Sequence, residues 1–313
     1  MSRTSPHPHL TSGEVSRRGL LRTAGGLTAA LALGATVTAT TADAAPATFT
    51  HPGMLHNWGD INRAKVRVAA GDEPWRSGWN RLTANSHSQS TWTPRPTATI
   101  IRGGDGQNYP QLYNDIHAAY QNALRWHVGG TAANGDTAVR ILNAWSSTLT
   151  EITGNADRYL AAGLYGWQFA NAAELMRGYP GFDLNRFKTM MLNVFYPLND
   201  RFLREHNDAC ITNYWANWDL CNMASIMAIG ILCDDGAKYD QAVNYFKSGG
   251  GNGQIQRAVP FLYPNVEGYD LGQWQESGRD QGHTVMGMGQ MARSARWPGT
   301  RATTCTPTTE GGS

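Results

Sequence analysis

Apolar residues recur every three or four positions over much of the chain. Leu112, Ile116, Tyr120 and Leu124 mark one stripe, and Val139, Leu142, Trp145 and Leu149 a second. Leu160, Leu164, Trp167, Asn171 and Leu175 mark a third, and Leu184, Phe187, Met191, Val194, Leu198 and Phe202 a fourth. A period near 3.6 places each set on one face of a helix of three or more turns, with that face turned to a core. Between Trp215 and Leu232 apolar side chains fall on nearly every side, which predicts a helix buried within a bundle. Turn chemistry separates the segments at Gly129 and Gly130, from Gly178 to Gly181, and at Asp234, Asp235 and Gly236. Alternating strand patterns are scarce, with Thr97 to Ile101 the best short candidate. The expected fold class is all-α, made of helical hairpins packed side by side.

The first 44 residues read as an address rather than as fold. Ser16, Arg17, Arg18, Gly19, Leu20 and Leu21 precede an uncharged run from Thr23 to Thr41, and Ala42, Asp43 and Ala44 offer a small-x-small cleavage site. This is the form of a twin-arginine export signal, removed near Ala45, and it predicts a secreted protein with no membrane segment left after processing. Roughly 250 residues remain, and no Pro, Ser or charged linker divides Phe49 from Arg293, so one domain over residues 45–292 is expected. The chain is expected to act as a monomer.

Composition narrows the ligand. The net charge is +2 with no block of Lys or Arg, which argues against nucleic acid as the partner. Eleven tryptophans and twelve tyrosines beside only 16% charged residues suit a protein that stacks on flat sugar faces. No Cys or His spacing fits a metal site, so neither metal nor other cofactor is expected. Export makes one disulfide plausible, Cys210 with Cys221 or Cys233, with buried free thiols the alternative.

Chemistry concentrates in a few places. The string Glu276-Ser277-Gly278-Arg279-Asp280-Gln281-Gly282-His283 packs acid, amide, guanidinium and imidazole together, with two glycines that let a backbone approach something closely. Asn213, Tyr214, Trp215, Asn217 and Trp218 open the apolar helix, where backbone NH groups and Asn amides can hold a carboxylate, or can simply form a cap beside interfacial tryptophans. His51, Pro52, Gly53, Met54, Leu55 and His56 begin the mature fold and read best as a tethered N-terminal segment.

Taken together, the HPG-type start at His51, the helical body, the Asn213 to Trp218 segment and the Gln275 to His283 string resemble the alginate-lyase family, secreted bacterial polysaccharide lyases that cut alginate or glucuronan. The resemblance runs from His51 to Met291, and the Glu276 to His283 string is its specific part. It implies an incomplete (α/α) toroid with a polyuronate lying across a groove. It also implies β-elimination: donors neutralise the uronate carboxylate, a base takes the C5 proton, and an acid protonates the C4 oxygen. Removing one such donor typically lowers the rate by about two to three orders of magnitude.

Asn213 and Arg279 are the expected neutralisers. His283 lies one helical turn after Arg279 and is the candidate base, imidazole being the side chain that changes protonation nearest neutrality. Related lyases use a tyrosine a few residues beyond the arginine, where this chain has Val285 and Met286; Tyr214 is the preferred substitute, with Tyr263 and Tyr269 behind it. Trp215, Asn217, Trp218, Gln275, Glu276 and Gln281 are expected to bind substrate. Two alternatives stay open. A glycoside hydrolase would need paired carboxylates, for which Glu276, Asp280 and Asp219 are available; a non-catalytic polyuronate-binding protein would need none.

After Met291 the helical pattern is expected to stop, leaving residues 293–313 irregular. The Thr-rich end suits a glycosylated linker or, preferably, a shifted reading frame near residue 293 in a GC-rich gene.

Overall fold

The helical stripes seen in the sequence become a parallel set of long helices joined by helices that return. The structure is a computed structural model that describes residues 49–296, all within one compact unit. The expected signal segment and the chain after Arg296 lie outside the described residues.

Three helices form the centre: α3 (Pro110–Gly129), α5 (Asp157–Met176) and α8 (Ala216–Cys233). Tyr113 lies beside Tyr165, with ring centroids 6.0 Å apart. Further along, His117 Nε2 meets Gln168 Oε1 at 3.1 Å, and near the far end His127 Nε2 donates to the Leu175 carbonyl at 2.6 Å. The paired positions rise together, so α3 and α5 run parallel. The same test makes α5 and α8 parallel: Gly163 faces Cys221, Gly166 faces Ser225, and Arg177 Nη2 donates to the Leu232 carbonyl at 2.7 Å. A Cβ at Gly163 would stand 2.4 Å from Cys221 Sγ, and one at Gly166 2.1 Å from Ser225 Oγ. Glycine here permits close helix approach rather than an unusual backbone angle.

Each central helix is followed by a return. Gly130, in the left-handed conformation at φ 74°, caps α3 and α4 (Ala132–Thr148) starts two residues later. After α5, α6 (Leu184–Met190) passes through a π-helical stretch, Met191–Phe195, into α7 (Tyr196–Glu205). Asp234, at φ 58°, caps α8, and Asp235 caps the start of α9 (Gly236–Ser248), its carboxylate accepting from the Lys238 amide. The expected helical hairpins are therefore present and the all-α class holds. α1 (Trp58–Ala70) and α2 (Trp75–Ala84) precede this core, and α10 (Ile255–Ala258) and α11 (Gln281–Arg296) follow it. α11 extends five residues past the expected stop at Met291, since Ala292, Arg293, Ser294, Ala295 and Arg296 contain neither Gly nor Pro to end it.

Two further expectations need correction. α5 was expected to carry one apolar stripe, but it is buried on nearly every side, because Ala161, Ala162, Gly163, Gly166, Ala170 and Ala173 let neighbours close on its other faces. No disulfide joins Cys210, Cys221 and Cys233; all three are free thiols. Cys210 is exposed before α8, whereas the Cys221 thiol is buried against Gly163 and donates to the Trp218 carbonyl at 3.2 Å, and Cys233 closes α8 about 25 Å along the axis from its start, beyond disulfide reach. α8 is apolar and long enough to cross a membrane, yet 89% of that span is buried inside the fold, as suits a core helix.

The short strand expected at Thr97 to Ile101 appears as β1 (Thr99–Ile101), paired in parallel with β2 (Glu151–Thr153). A second pair, β3 (Phe261–Val266) and β4 (Tyr269–Gln273), forms an antiparallel hairpin that the sequence reading missed. Its signal is the Glu267 and Gly268 pair between two aromatic-rich runs; both residues have positive φ, 50° and 85°, as a two-residue hairpin turn requires.

Candidate functional site

Because α3, α5 and α8 are parallel, their N-termini lie at one end of the layer, and their backbone dipoles turn the positive pole the same way. That end collects Tyr109 and Tyr113 at the start of α3, Arg158 in the first turn of α5, and the Tyr214 to Asn217 segment leading into α8.

The Gln275 to His283 segment is bound to the α8 segment directly. Gln275 Oε1 accepts from the Ala216 amide at 2.7 Å. Glu276 is fully buried; its Oε1 accepts from the Asn217 amide at 3.1 Å and from Asn217 Nδ2 at 2.6 Å. Its other oxygen accepts from Arg279 Nη1 at 3.0 Å. The guanidinium of Arg279 lies 5.5 Å from the centre of the Trp215 ring, which remains 44% exposed. The start of α8 does hold a carboxylate, but it is the chain's own. Gln275, Glu276 and Asn217, expected to touch substrate, have these groups engaged in joining the two segments.

Arg279 keeps part of its fork open, with its side chain 34% exposed. His283 Nδ1 lies 2.5 Å from Asp280 Oδ2, and its backbone NH donates to Asp280 Oδ1 at 2.8 Å. A carboxylate on Nδ1 fixes the proton there and leaves Nε2 with its lone pair. The His283 backbone NH, then its ring, hold the Asp280 carboxyl below the usual carboxylate range. Asn213 and Gln281 are exposed.

Tyr214 and Trp218 depart from expectation. Their rings are 4.6 Å apart, and both pack on Phe202, at 5.2 and 5.7 Å, so they face the core as much as solvent. The Tyr214 hydroxyl accepts from Asn207 Nδ2 at 3.2 Å, and Asn207 Oδ1 accepts from Arg158 Nη2 at 3.0 Å. Tyr263 and Tyr269 stand on the exposed β3–β4 hairpin, where the Tyr263 hydroxyl donates to Gln273 Oε1 at 2.9 Å.

Asn207 belongs to a strained segment. His206, Asn207 and Asp208 have φ of 46°, 54° and 61° in succession, a left-handed run that costs about 1–2 kcal/mol per residue. Buried contacts hold it: His206 Nε2 donates to Asp219 Oδ1 at 2.7 Å, and Asp219 Oδ2 accepts from the Gly253 amide at 2.8 Å. Asp219 and Glu276 are thus both buried with their oxygens engaged, so the carboxylates weighed for a hydrolase leave only Asp280 accessible. Among the described residues no group of three His, Cys, Asp or Glu side chains could hold a metal ion.

Several residues at this end escaped the sequence reading. Arg102, just after β1, donates to the Tyr165 hydroxyl at 3.1 Å and lies 5.1 Å from the Tyr109 ring centre. Burial pushes the Tyr165 phenol up, and Arg102 opposes that shift. Tyr113, His117, Tyr165 and Gln168 line one wall of a cleft of about 600 Å³ whose other wall is α11. Arg102 and Arg158 make no ion pair among the described residues. For Tyr113 and His117 the advance signal was their i, i+4, i+8 spacing with Tyr109, which marks one helix face; the two arginines had none.

No profile of a known protein family matches the chain, and no match is found among curated proteins. Two solved structures resemble it in shape. Alginate lyase A1-III from Sphingomonas species A1 is 13% identical, with a TM-score of 0.48 over 77% of this chain and 70% of that one. A tyrosine-to-phenylalanine variant of alginate lyase A1-III complexed with tetrasaccharide is 14% identical, with a TM-score of 0.47 over 77% and 69%. At that identity and overlap the likeness assigns no activity to this chain.

Proposed function

We propose that the chain is a secreted polysaccharide lyase acting on a polyuronate such as alginate or glucuronan. The observation that carries this reading is the convergence of the Asn213 and Arg279 segments at the positive end of the parallel helices, with two further arginines at that end that have no carboxylate partner among the described residues. That end favours an anion, and exposed Trp215 with the tyrosines of α3 suits a sugar ring. Arg279 and Asn213 donate to the uronate carboxylate and so stabilise the charge that builds as C5 loses its proton. His283, oriented by Asp280, takes that proton at Nε2. The C4–O bond breaks as the C4=C5 double bond forms, and the departing oxygen takes a proton from a tyrosine. Tyr214, which stands beside Asn213 and accepts a hydrogen bond from Asn207, is the candidate for that role.

The test is growth of ultraviolet absorbance on a panel of polyuronates. A new absorbance band lost in His283→Ala supports elimination. Cleavage without the band selects hydrolysis, and tight binding without cleavage selects a non-catalytic sugar-binding protein.

A further inference from the structure

Arg293, on α11, is a charge that the proposed site leaves unused. It is half-buried, with its guanidinium 3.9 Å from the centre of the Trp167 ring, and it has no ion pair among the described residues. Burial lowers its pKa, opposed only by the Tyr120 hydroxyl. A buried cation without a counter-ion is destabilising, and proteins keep one where something else compensates it. One helical turn earlier stands Gln290, 1% exposed, with neither its amide nitrogen nor its carbonyl oxygen hydrogen-bonded among the described residues. An amide buried with both ends empty is rare and carries a desolvation penalty of its own. Both side chains line the same cleft of about 600 Å³, opposite Tyr113, His117, Tyr165 and Gln168.

We propose that this cleft is a separate binding station for an acidic sugar unit, in which Arg293 takes the carboxylate and Gln290 takes a hydroxyl. This rests on the reading of the helix ends as a polyuronate site and adds a second point of charge recognition. His283 and Arg293 are ten residues apart on α11, roughly 15 Å along its axis, so the two stations engage different units of one chain. Tyr113 and Tyr165, set with centroids 6.0 Å apart at 49°, supply the aromatic wall for the sugar face. His117 is fixed by Gln168, with Nε2–H donating to the amide oxygen. Burial lowers the pKa of His117, keeping it neutral beside the arginine at neutral pH.

The experiment is calorimetric binding of a short oligouronate and of its carboxyl-reduced, neutral counterpart to the full chain, to Arg293→Met and to Gln290→Leu, with thermal unfolding and the absorbance assay run in parallel. Met keeps an unbranched apolar stem against Trp167. The expected result is that Arg293→Met binds the oligouronate about tenfold more weakly or worse, the loss of a charge-assisted hydrogen bond, while binding of the neutral sugar is unchanged. Gln290→Leu should melt at the same temperature as the parent or higher, because it removes a buried amide without partners, and Arg293→Met, which gives up the contact with Trp167 along with a half-buried charge, should melt close to the parent. Unaltered oligouronate affinity in Arg293→Met overturns the proposal, as does a lowered melting temperature with equal loss for both sugars, which marks a packing role. If absorbance grows normally and Arg293→Met leaves KM untouched, the lyase reading survives and this station does not. If Arg293→Met loses binding but no double bond ever forms, the station survives and elimination falls. If the parent chain binds no acidic sugar, both fall.

Discussion

The two ends of the central helices treat charge in opposite ways. At the C-terminal end, Glu174 is 3% exposed and accepts from His51 Nδ1 at 2.8 Å and from Arg177 Nη2 at 2.7 Å. Asp234 accepts from His51 Nε2 at 2.8 Å and from Lys188 Nζ at 3.3 Å. Carboxylates placed where the helix dipole disfavours them are each met by cations, and the product is a clamp that ties the N-terminal segment down, as the sequence suggested for His51. At the N-terminal end the imbalance runs the other way. Arg158 sits in the first turn of α5, where a cation is disfavoured, and among the described residues neither it nor Arg102 has a carboxylate partner. Where charges cancel, the chain is held together; the charges left over at the other end are the ones the proposed lyase would use.

That contrast can be broken by substitution, and the largest effect is expected at Arg279. Arg279→Met should lower kcat/KM on a polyuronate by about two to three orders of magnitude, and should also lower the melting temperature because it leaves the buried Glu276 carboxylate without its cation. Comparable activity in the variant would remove Arg279 from the site.

Glu276→Ala comes next, because it strips a fully buried Asn217 of its acceptor and frees Arg279. A loss of roughly 2–3 kcal/mol in unfolding free energy is expected, at the low end for a broken buried pair since Arg279 is partly exposed. Chemical denaturation measures it, and a near-neutral result would mean the junction between the two segments is not structural.

The paired end is expected to respond to pH rather than to sugar. Burial works against a charged His51, but the hydrogen bonds to Glu174 and Asp234 outweigh it and raise the pKa. The clamp is therefore at full strength below the ordinary imidazole pKa of about 6.5 and fades as pH rises through the raised value in the fold. His51→Ala should reduce stability by about 1–2 kcal/mol at pH 6 and by less at pH 9. A gap in melting temperature between parent and variant that stays constant from pH 6 to pH 9 would contradict this.

The smallest effect is expected at Arg102. Arg102→Met should weaken oligouronate binding about threefold to tenfold while leaving stability near its parent value, since the cation has no counter-ion to lose. A large drop in stability would place Arg102 with the structural charges instead.

Much of the helical frame was legible because periodicity is a local property. Leu112, Ile116, Tyr120 and Leu124 announce α3 without reference to any other part of the chain, and Gly130 and Asp234 mark ends that the backbone enforces. What escaped detection depends on partners distant in sequence. α5 looked amphipathic because its alanines and glycines carry little hydrophobic signal, and only the presence of α8 shows them to be contact surface. Glu276 looked like a substrate group because nothing nearby in sequence shows that the start of α8 is waiting for it. Arg102 carried no signal at all, since the pairing of β1 with β2 and the approach of Tyr165 bring it to the site from more than 100 residues before Asn213.

The glycine contacts between α5 and α8 have a mechanical meaning as well. At Gly163 and Gly166 α5 presents bare backbone, and the Cys221 and Ser225 side chains of α8 pack directly onto it, so neither helix can slide or rotate without collision. They behave as one girder. Any breathing at the helix ends must therefore come from the elements flanking that girder: the segment that leads into α11 on one side, or α3 with the turn carrying Arg102 on the other.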